Sequence, residues 1–476
     1  MTDKSLFEKI ETWIDAHFEE TVADIENLVR IPSVAVYDEK DTPYGRECLR
    51  AIRFMEDRAR SFGFETRRVD DRVLEISEDL SFSGISVWCH LDVVPAGDGW
   101  TYTKPFEPLR LGDYLIGRGA DDNKGPAAAC LYLMRMLKEL GIKTQNPIRL
   151  CLGTDEEKRM SDVKLYAATQ PAAKLNLVAD CGFPVCYAEK GILEADVVSI
   201  EPCESLTAFR AGSASNIIPD RAEMLLRTKN GSGLAQKGLG ENGKISFEDG
   251  LLRILATGLA AHSAHPERGL NAISVLTQAA LESGALDGYT RRVLTFFDRI
   301  NAGYSGAALG ISYSDETSGE TTCAGTVASL DADGRARLRL NIRYAVSADA
   351  EKMLISMEAS CRENGCKLTN VSDSRPNFFP PDSPIIKELT DTFNLFSGQD
   401  KQPYCMSGGT YARKLPNAVG YGLGGLDKPE TNLFPPGHGG AHQCDEALYL
   451  PNLKKAMALF AMGLMEADEV LSRSPD

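Results

Sequence analysis

No apolar run in this chain is long enough to cross a bilayer. The longest, Ala456–Met465, is about half of the roughly 20 residues that a spanning helix requires. Basic residues do not cluster: 52 Lys and Arg stand against 68 Asp and Glu, a formal net charge of -16, and no stretch forms the basic stripe that tracks phosphates. Nucleic acid and anionic membranes are therefore excluded as expected partners. The 12 cysteines include no CxxC pair and no dense small-domain spacing, which excludes a disulfide-stapled scaffold and points to reduced thiols in a cytoplasmic protein. The first residues are expected to form a helix and not a secretory leader. Leu6, Ile10, Trp13 and Ile14 recur at helical intervals among charges, the pattern of an amphipathic surface helix.

At 476 residues the chain is long enough for two or three domains with a sizeable core. Between residues 45 and 185 helical and strand patterns alternate. Helices are expected over Leu49–Ser61 and Ala127–Leu140, and strands over Gly84–Cys89, Ile148–Gly153 and Leu175–Asp180. Such alternation predicts an α/β fold with helices flanking a mostly parallel sheet, and ligands of such sheets gather at the carboxyl ends of the strands. After Lys190 the pattern changes to strands Leu193–Val198 and Ala222–Arg227, helix Ile273–Glu282 and a tight hairpin at Asp333-Gly334. This middle reads as an inserted α+β domain. The expected division is a first catalytic part over 1–187, an inserted lid and substrate-binding domain over 188–383, and a second catalytic part over 384–476. Within the Gly-rich stretch Asn230–Gly250, the Gly-rich 230s lack the Lys-Ser/Thr context of a phosphate loop, as does Gly420–Gly425, and both read as mobile loops.

Histidine is scarce, at six positions: His17, His90, His262, His265, His438 and His442. In "HLDVVPAGDGW", residues 90–100, strand alternation puts His90 and Asp92 on one face. A carboxylate there can hold one imidazole nitrogen while the other meets a metal. "GRGADDNKGP" (117–126) places Asp121 and Asp122 before a helix, where an N-cap is the plain alternative. "GTDEEK" (153–158) sets three carboxylates after a buried strand, an arrangement that is costly unless a cation or separated pKa values relieve it. Asp180 ends "LNLVAD", and "GHGGAHQCDE" carries His438 and His442. Mixed histidine and carboxylate donors suit catalytic zinc, or manganese or cobalt, better than a closed structural zinc site.

With these motifs in this order, together with "FPVCYAEKG", "HSAHPERGLNA" and "GGTYAR", essentially the whole chain resembles the co-catalytic zinc peptidases and deacylases. That family includes aminoacylases, carboxypeptidases, carnosinases and peptidase V type dipeptidases. "HLDVVPAGDGW", "GGTYAR" and the length of the inserted domain look most like the peptidase V branch. The resemblance implies that His90 and Asp180 bind one metal, Glu157 and His442 the other, and Asp122 both. It implies Asp92 as the partner orienting His90, Glu156 as general base and His262 as stabiliser of the oxyanion. Asn216, Arg343, Gly408, Gly409 and Arg413 would contact substrate. His442 is preferred to His438 by its spacing to "QCDE", and His265 falls at a variable position of its motif. The chain departs from the family pattern at Asn123, where a second aspartate is usual beside a cis peptide, and at Lys158-Arg159-Met160, where Ser-Gly usually follows.

The resemblance therefore implies a dipeptidase using a water shared by two metal ions, zinc first, on a dipeptide or small peptide. A monomer is preferred to a homodimer. An N-acyl amino acid deacylase or carboxypeptidase is the alternative within the family, and a non-catalytic metal-binding protein is the alternative outside it.

Overall fold

The computed structural model describes residues 4–81, 84–228 and 239–473. They form two units: Met1–Tyr187, Asn377–Tyr404 and Gly409–Asp476 make the first, and Ala188–Pro376 with Cys405–Gly408 the second.

At the centre of the first unit, four parallel strands run in the order Ile148–Gly153, Ile85–His90, Leu175–Val178 and Ala418–Gly420. Antiparallel strands extend the sheet, Val73–Ser77 and Glu65–Val69 on one side and Cys186–Glu189 on the other. The first three central strands are buried at every position. Strands buried along their whole length belong to parallel sheets covered on both faces. Helices Lys4–Val29, Arg46–Ser61, Gly125–Glu139, Pro384–Ser397 and Leu450–Arg473 provide that cover. Register then decides where the chemistry lies. His90 pairs with Gly153 and Trp88 with Val178, so the residues following each strand emerge at one carboxyl edge.

The N-terminal helix is amphipathic, as its spacing predicts: Ile10, Trp13, Ile14, Val22 and Ile25 are buried in the main core while Glu8, Lys9, Glu11 and Asp15 are exposed, and His17 stacks on Trp13 with ring centroids 4.0 Å apart. One expectation requires correction. The Gly420–Gly425 stretch is not a mobile loop but a packed one. Gly420 ends a strand, and Leu423–Gly424 pairs with Cys181–Gly182. A Cβ on Gly420 would meet the Cys181 Sγ at 2.7 Å, so close sheet packing, and not freedom, requires the glycine there.

The second unit is an eight-stranded antiparallel sheet, ordered Gly243–Glu248, Leu251–Thr257, Arg221–Arg227, Leu206–Ala211, Thr322–Leu330, Ala336–Tyr344, Gly191–Ser199 and Cys366–Ser374. Burial alternates along Leu251–Thr257 and Arg221–Arg227, as in a sheet covered on one face. Helices Ala272–Glu282, Gly288–Asn301 and Ala350–Glu363 supply Ile273, Leu276, Phe297 and Met357 to the core with Leu193, Phe209, Met224 and Ile254. The mobile loop expected in the Gly-rich 230s lies outside the described residues as far as residue 238. Residues 243–248 form a strand, hairpinned to the next through Asp249 and Gly250, both at positive φ. This Asp-Gly turn is the missed signal. Among the described residues, no helix is long and apolar enough to cross a membrane.

Candidate metal centre

Two donor groups meet at the carboxyl edge of the parallel strands, each with its ligand atoms within 4.8 Å of one another: His90, Asp122 and Asp180, and Asp122, Glu157 and His442. Asp122 belongs to both. Its Oδ1 lies 3.0 Å from His90 Nε2 and its Oδ2 3.1 Å from His442 Nε2. Asp180 Oδ1 is 3.7 Å from His90 Nε2, and Glu157 Oε2 is 3.0 Å from His442 Nε2. Each donor has a simple local origin. His90 is the last residue of its strand, Asp180 follows the next strand by two positions, and Glu157 stands in the turn after Gly153. Asp122 precedes helix Gly125–Glu139, and His442 sits at φ 65 in the loop before the terminal helix.

The supports are as specific as the donors. His90 Nδ1 lies 3.0 Å from the Asp92 backbone carbonyl and 3.5 Å from its carboxylate. That carboxylate also accepts the backbone N–H groups of Glu156 and Glu157. Asn123, where the family pattern has an acid, donates from Nδ2 to Asp180 Oδ1 at 2.9 Å and to the Ala179 carbonyl, while its Oδ1 accepts the His90 N–H. An amide can do both, and an ionised acid could not donate. The Asp122–Asn123 peptide is cis.

Glu446 is a support that the sequence did not single out. It is fully buried, and its Oε1 accepts the N–H groups of Gly119, Asp121 and Asp122 at 3.0 to 3.1 Å. Its Oε2 pairs with Arg118 Nη1 at 2.6 Å. Arg118 in turn lies over Trp100 and donates to the His442 carbonyl. The turn after "HLDVV" thus serves the last donor: Thr101 and Tyr102 donate their N–H groups to Asp445, which also binds His438 Nδ1 at 2.6 Å. His438 braces the loop in which His442 is a donor. In the second half of "SGGTYAR", the guanidinium of Arg413 lies against Gly409, where a Cβ would approach to 1.9 Å.

Electrostatics test whether cations fit. Burial opposes a charged His90 imidazole, but Asp180, Asp122 and Asp92 outweigh it and hold its pKa well above the usual value. His442 is pushed up to about 11, burial being overcome by Asp122 and Glu157. Burial raises Asp180 to about 6, against the pull of His90. Glu156 is carried well above the usual carboxylate range by burial, then, against the opposing pull of His90, by Asp180 and Glu157. Among the described residues its buried Oε1 has no hydrogen-bond partner, an expensive state unless the atom faces something the protein alone does not supply. Crowded carboxylates, two imidazoles and this orphaned oxygen fit two divalent cations with open positions. A cavity of about 240 Å³ lined by Asp121, Asp122, Asp180, Cys181 and Leu423 adjoins the first donor group.

The remaining expected site residues lie in the second unit. Asn216 and His262 are neighbours: the Ser263 N–H donates to the Asn216 carbonyl, and Ile217 pairs with His262. The Ala264 N–H donates to His262 Nδ1. Arg343 is buried, donating from Nε to Asn341 Oδ1 at 2.9 Å and from Nη1 to the Ser407 carbonyl at 3.0 Å, beside Gly408. His265 is half exposed and lies 3.6 Å from Glu267.

Comparison with known proteins identifies the family and the fold. The model of peptidase family M20/M25/M40 matches residues 87–466. A protein of Bacillus subtilis (strain 168), YtjP, provisionally named a dipeptidase, is 30% identical over 465 residues, covering 94% of this chain and 97% of that protein. A provisionally named dipeptidase of Staphylococcus aureus (strain MRSA252), SAR1836, is 28% identical over 435 residues, covering 87% and 91%. Among solved structures, the Saccharomyces cerevisiae di-peptidase Dug1p superposes with a TM-score of 0.59 at 15% identity over 99% of both chains. Human carnosine dipeptidase 1 gives 0.56 at 16% identity, over 98% of this chain and 99% of its own. These two show that the fold is shared. The paired donor groups, the two-unit fold and the family match together place this chain in peptidase family M20/M25/M40, as a metallopeptidase.

Proposed function

We propose that the protein is a two-metal dipeptidase, with zinc as its first choice of ion and manganese or cobalt as substitutes. The observation that carries the reading is the sharing of Asp122 between two donor groups beside a buried, unpartnered Glu156 oxygen. His90 and Asp180 would hold one ion, Glu157 and His442 the other, and Asp122 both. When bound, two such cations polarise a carbonyl and lower the pKa of water. The protein's own part is the proton. Glu156 takes it from the attacking water and delivers it to the amide nitrogen as the C–N bond breaks, so that an amine and a carboxylic acid leave. Asp92 keeps the Glu156–Glu157 turn and the His90 ring in place. His262 is assigned to the developing oxyanion, and Arg343 and Asn216, with Gly408, Gly409 and Arg413, to the substrate's carboxylate and backbone. The names of the curated relatives support a dipeptide as substrate. A monomer is proposed as the working unit on the resemblance of the long inserted domain to that of peptidase V type dipeptidases.

The test compares dipeptides bearing a free α-amine with their N-acylated counterparts, using protein stripped of metal and reloaded with zinc, manganese or cobalt. A dipeptidase cleaves the free forms in preference. Preference for the blocked forms would show a deacylase, and no cleavage across a broad panel with any of the three ions would overturn the proposal.

A further inference from the structure

The segment from Ile31 to Tyr37 has no regular secondary structure, and its burial alternates, with Ile31, Ser33 and Ala35 buried and the residues between them less so. The same odd-numbered positions carry contacts to three loops of the metal centre. The Ile31 carbonyl accepts from Lys124 Nζ at 2.7 Å, beside Asp122 and Asn123. The Ser33 carbonyl accepts the Val93 N–H at 3.1 Å, and its hydroxyl donates to the Leu91 carbonyl at 2.6 Å, bracketing Asp92. The Ala35 carbonyl accepts from Lys158 Nζ at 2.6 Å, and the Tyr37 hydroxyl donates to Asp155 Oδ1. Outside it, the Arg159 guanidinium covers the Tyr37 ring at 3.8 Å, and Tyr44, edge-on to Tyr37, shares a hydrogen bond with Ser161.

Asp155 is the hub of the turn that bears Glu156 and Glu157. Its Oδ2 accepts the Ser161 N–H at 3.0 Å, its carbonyl accepts the Met160 N–H at 2.7 Å, and its own N–H donates to Asp162. Lys158 and Arg159, two of the residues that depart from the family pattern, therefore have a structural use: both close on the Tyr37 ring. The cation-on-ring contact and the charge-assisted hydrogen bonds to Ala35 and Asp155 are directional, so they fix the turn's orientation as well as its position.

We infer that Ile31–Tyr37 is a positioning element for the Glu156–Glu157 turn, acting through the Tyr37 hydroxyl on Asp155 and through Lys158 and Arg159. The inference rests on the proposed assignment of Glu157 as a ligand and Glu156 as base. Neither Tyr37 nor Arg159 touches the donor groups. Their effect is transmitted by the backbone of residues 155–157, and it falls on the donor group containing Glu157 and not on the one formed by His90, Asp122 and Asp180.

The experiment titrates the metal-stripped full chain with Co2+, following heat and visible absorption, and measures dipeptide turnover in parallel. Glu157→Gln marks which binding step belongs to the second group. Tyr37→Phe keeps the ring beneath Arg159 and loses only the hydroxyl, whereas Arg159→Ser changes an exposed residue and removes the cation from the ring. The Glu157-dependent step should weaken by about tenfold in either variant and the other step by less than about twofold, with kcat down about tenfold and KM nearly unchanged, the range seen for outer-shell partners of metal ligands. Both steps and kcat at parental values, or equal weakening of both steps, would overturn the inference while leaving the ligand assignment intact. A lowered Tm with parental Co2+ binding would show a purely structural contact and overturn it likewise. If Glu157→Gln itself leaves both steps unchanged, the ligand assignment falls, and the inference with it.

Discussion

The Asp92 carboxylate holds the backbone of Glu157: its Oδ2 accepts the Glu157 N–H at 3.1 Å, and its Oδ1 accepts the neighbouring Glu156 N–H at 3.2 Å. Because Asp92 follows His90 by two residues and its carbonyl lies against His90 Nδ1, one residue couples the strand end of the first donor group to the turn of the second. Replacing Asp92 with Ala should lower kcat and metal affinity together, each by about 10- to 100-fold. Parallel measurement of turnover and bound metal after equilibrium dialysis checks this. Loss of turnover with full metal affinity would confine Asp92 to the base.

Glu156→Gln removes the proposed proton carrier and preserves the side chain's shape. Turnover should fall by about 10²- to 10⁴-fold, while elemental analysis still finds two metals per chain. Turnover near the parent's would remove Glu156 from the mechanism.

Glu446→Ala leaves three backbone N–H groups and the Arg118 guanidinium buried without their acceptor. Breaking a buried ion pair from one side costs about 3 to 5 kcal/mol. Chemical denaturation should register that loss in the metal-free protein. A loss under about 1 kcal/mol would mean that water reaches Arg118.

The candidate donor positions were partly legible because they are local: apolar runs stop before His90, Asp155 and Asp180. The choice of Asp122 over Asp121 and of His442 over His438 came from the family resemblance. What binds these loops together was not legible. Glu446 reaches Asp122 across 324 residues of chain, and Tyr37 reaches Asp155 across 118. No periodicity encodes such a pairing, and an acid three or four residues from a histidine looks the same whether it caps a turn or anchors a distant loop. Asn123 shows the opposite case: it was noticed as a departure, but its use as a donor to Asp180 is visible only once the two strand ends are side by side. In the second unit the strand at Gly243–Glu248 was hidden by the glycines around it, and the Asp249-Gly250 turn was the signal that would have found it.

Acid should unsettle the second unit through Asp287. This residue caps helix Gly288–Asn301, accepting the Thr290 N–H at 2.7 Å and the Ser205 N–H at 3.1 Å. Burial would raise its pKa, but the hydrogen bonds from Ser205 and Thr290 prevail and hold it at about 2. The folded value lies below the unfolded one, so the stabilisation is complete above the unfolded pKa, near 4, and is lost as pH falls through about 2. Asp287→Ala should cost about 1 kcal/mol at neutral pH, and the gap to the parent should close across that acid window. Denaturation curves of both proteins at a series of pH values would reveal it, and a gap independent of pH would disprove the linkage.

The strand Ala418–Gly420 lies beside Leu175–Val178, and the terminal helix packs into the same core as the N-terminal one. On the ribosome this sets an order. Nearly all of the second unit is complete once residue 376 has emerged, and domains fold as units during synthesis. The first unit must then wait about 100 residues more, some 5 to 20 seconds at ordinary elongation rates, for its last strand, its closing helix and His442. During that interval Asp122 and Glu157 stand without His442, and the second candidate donor group is complete only once that residue has emerged.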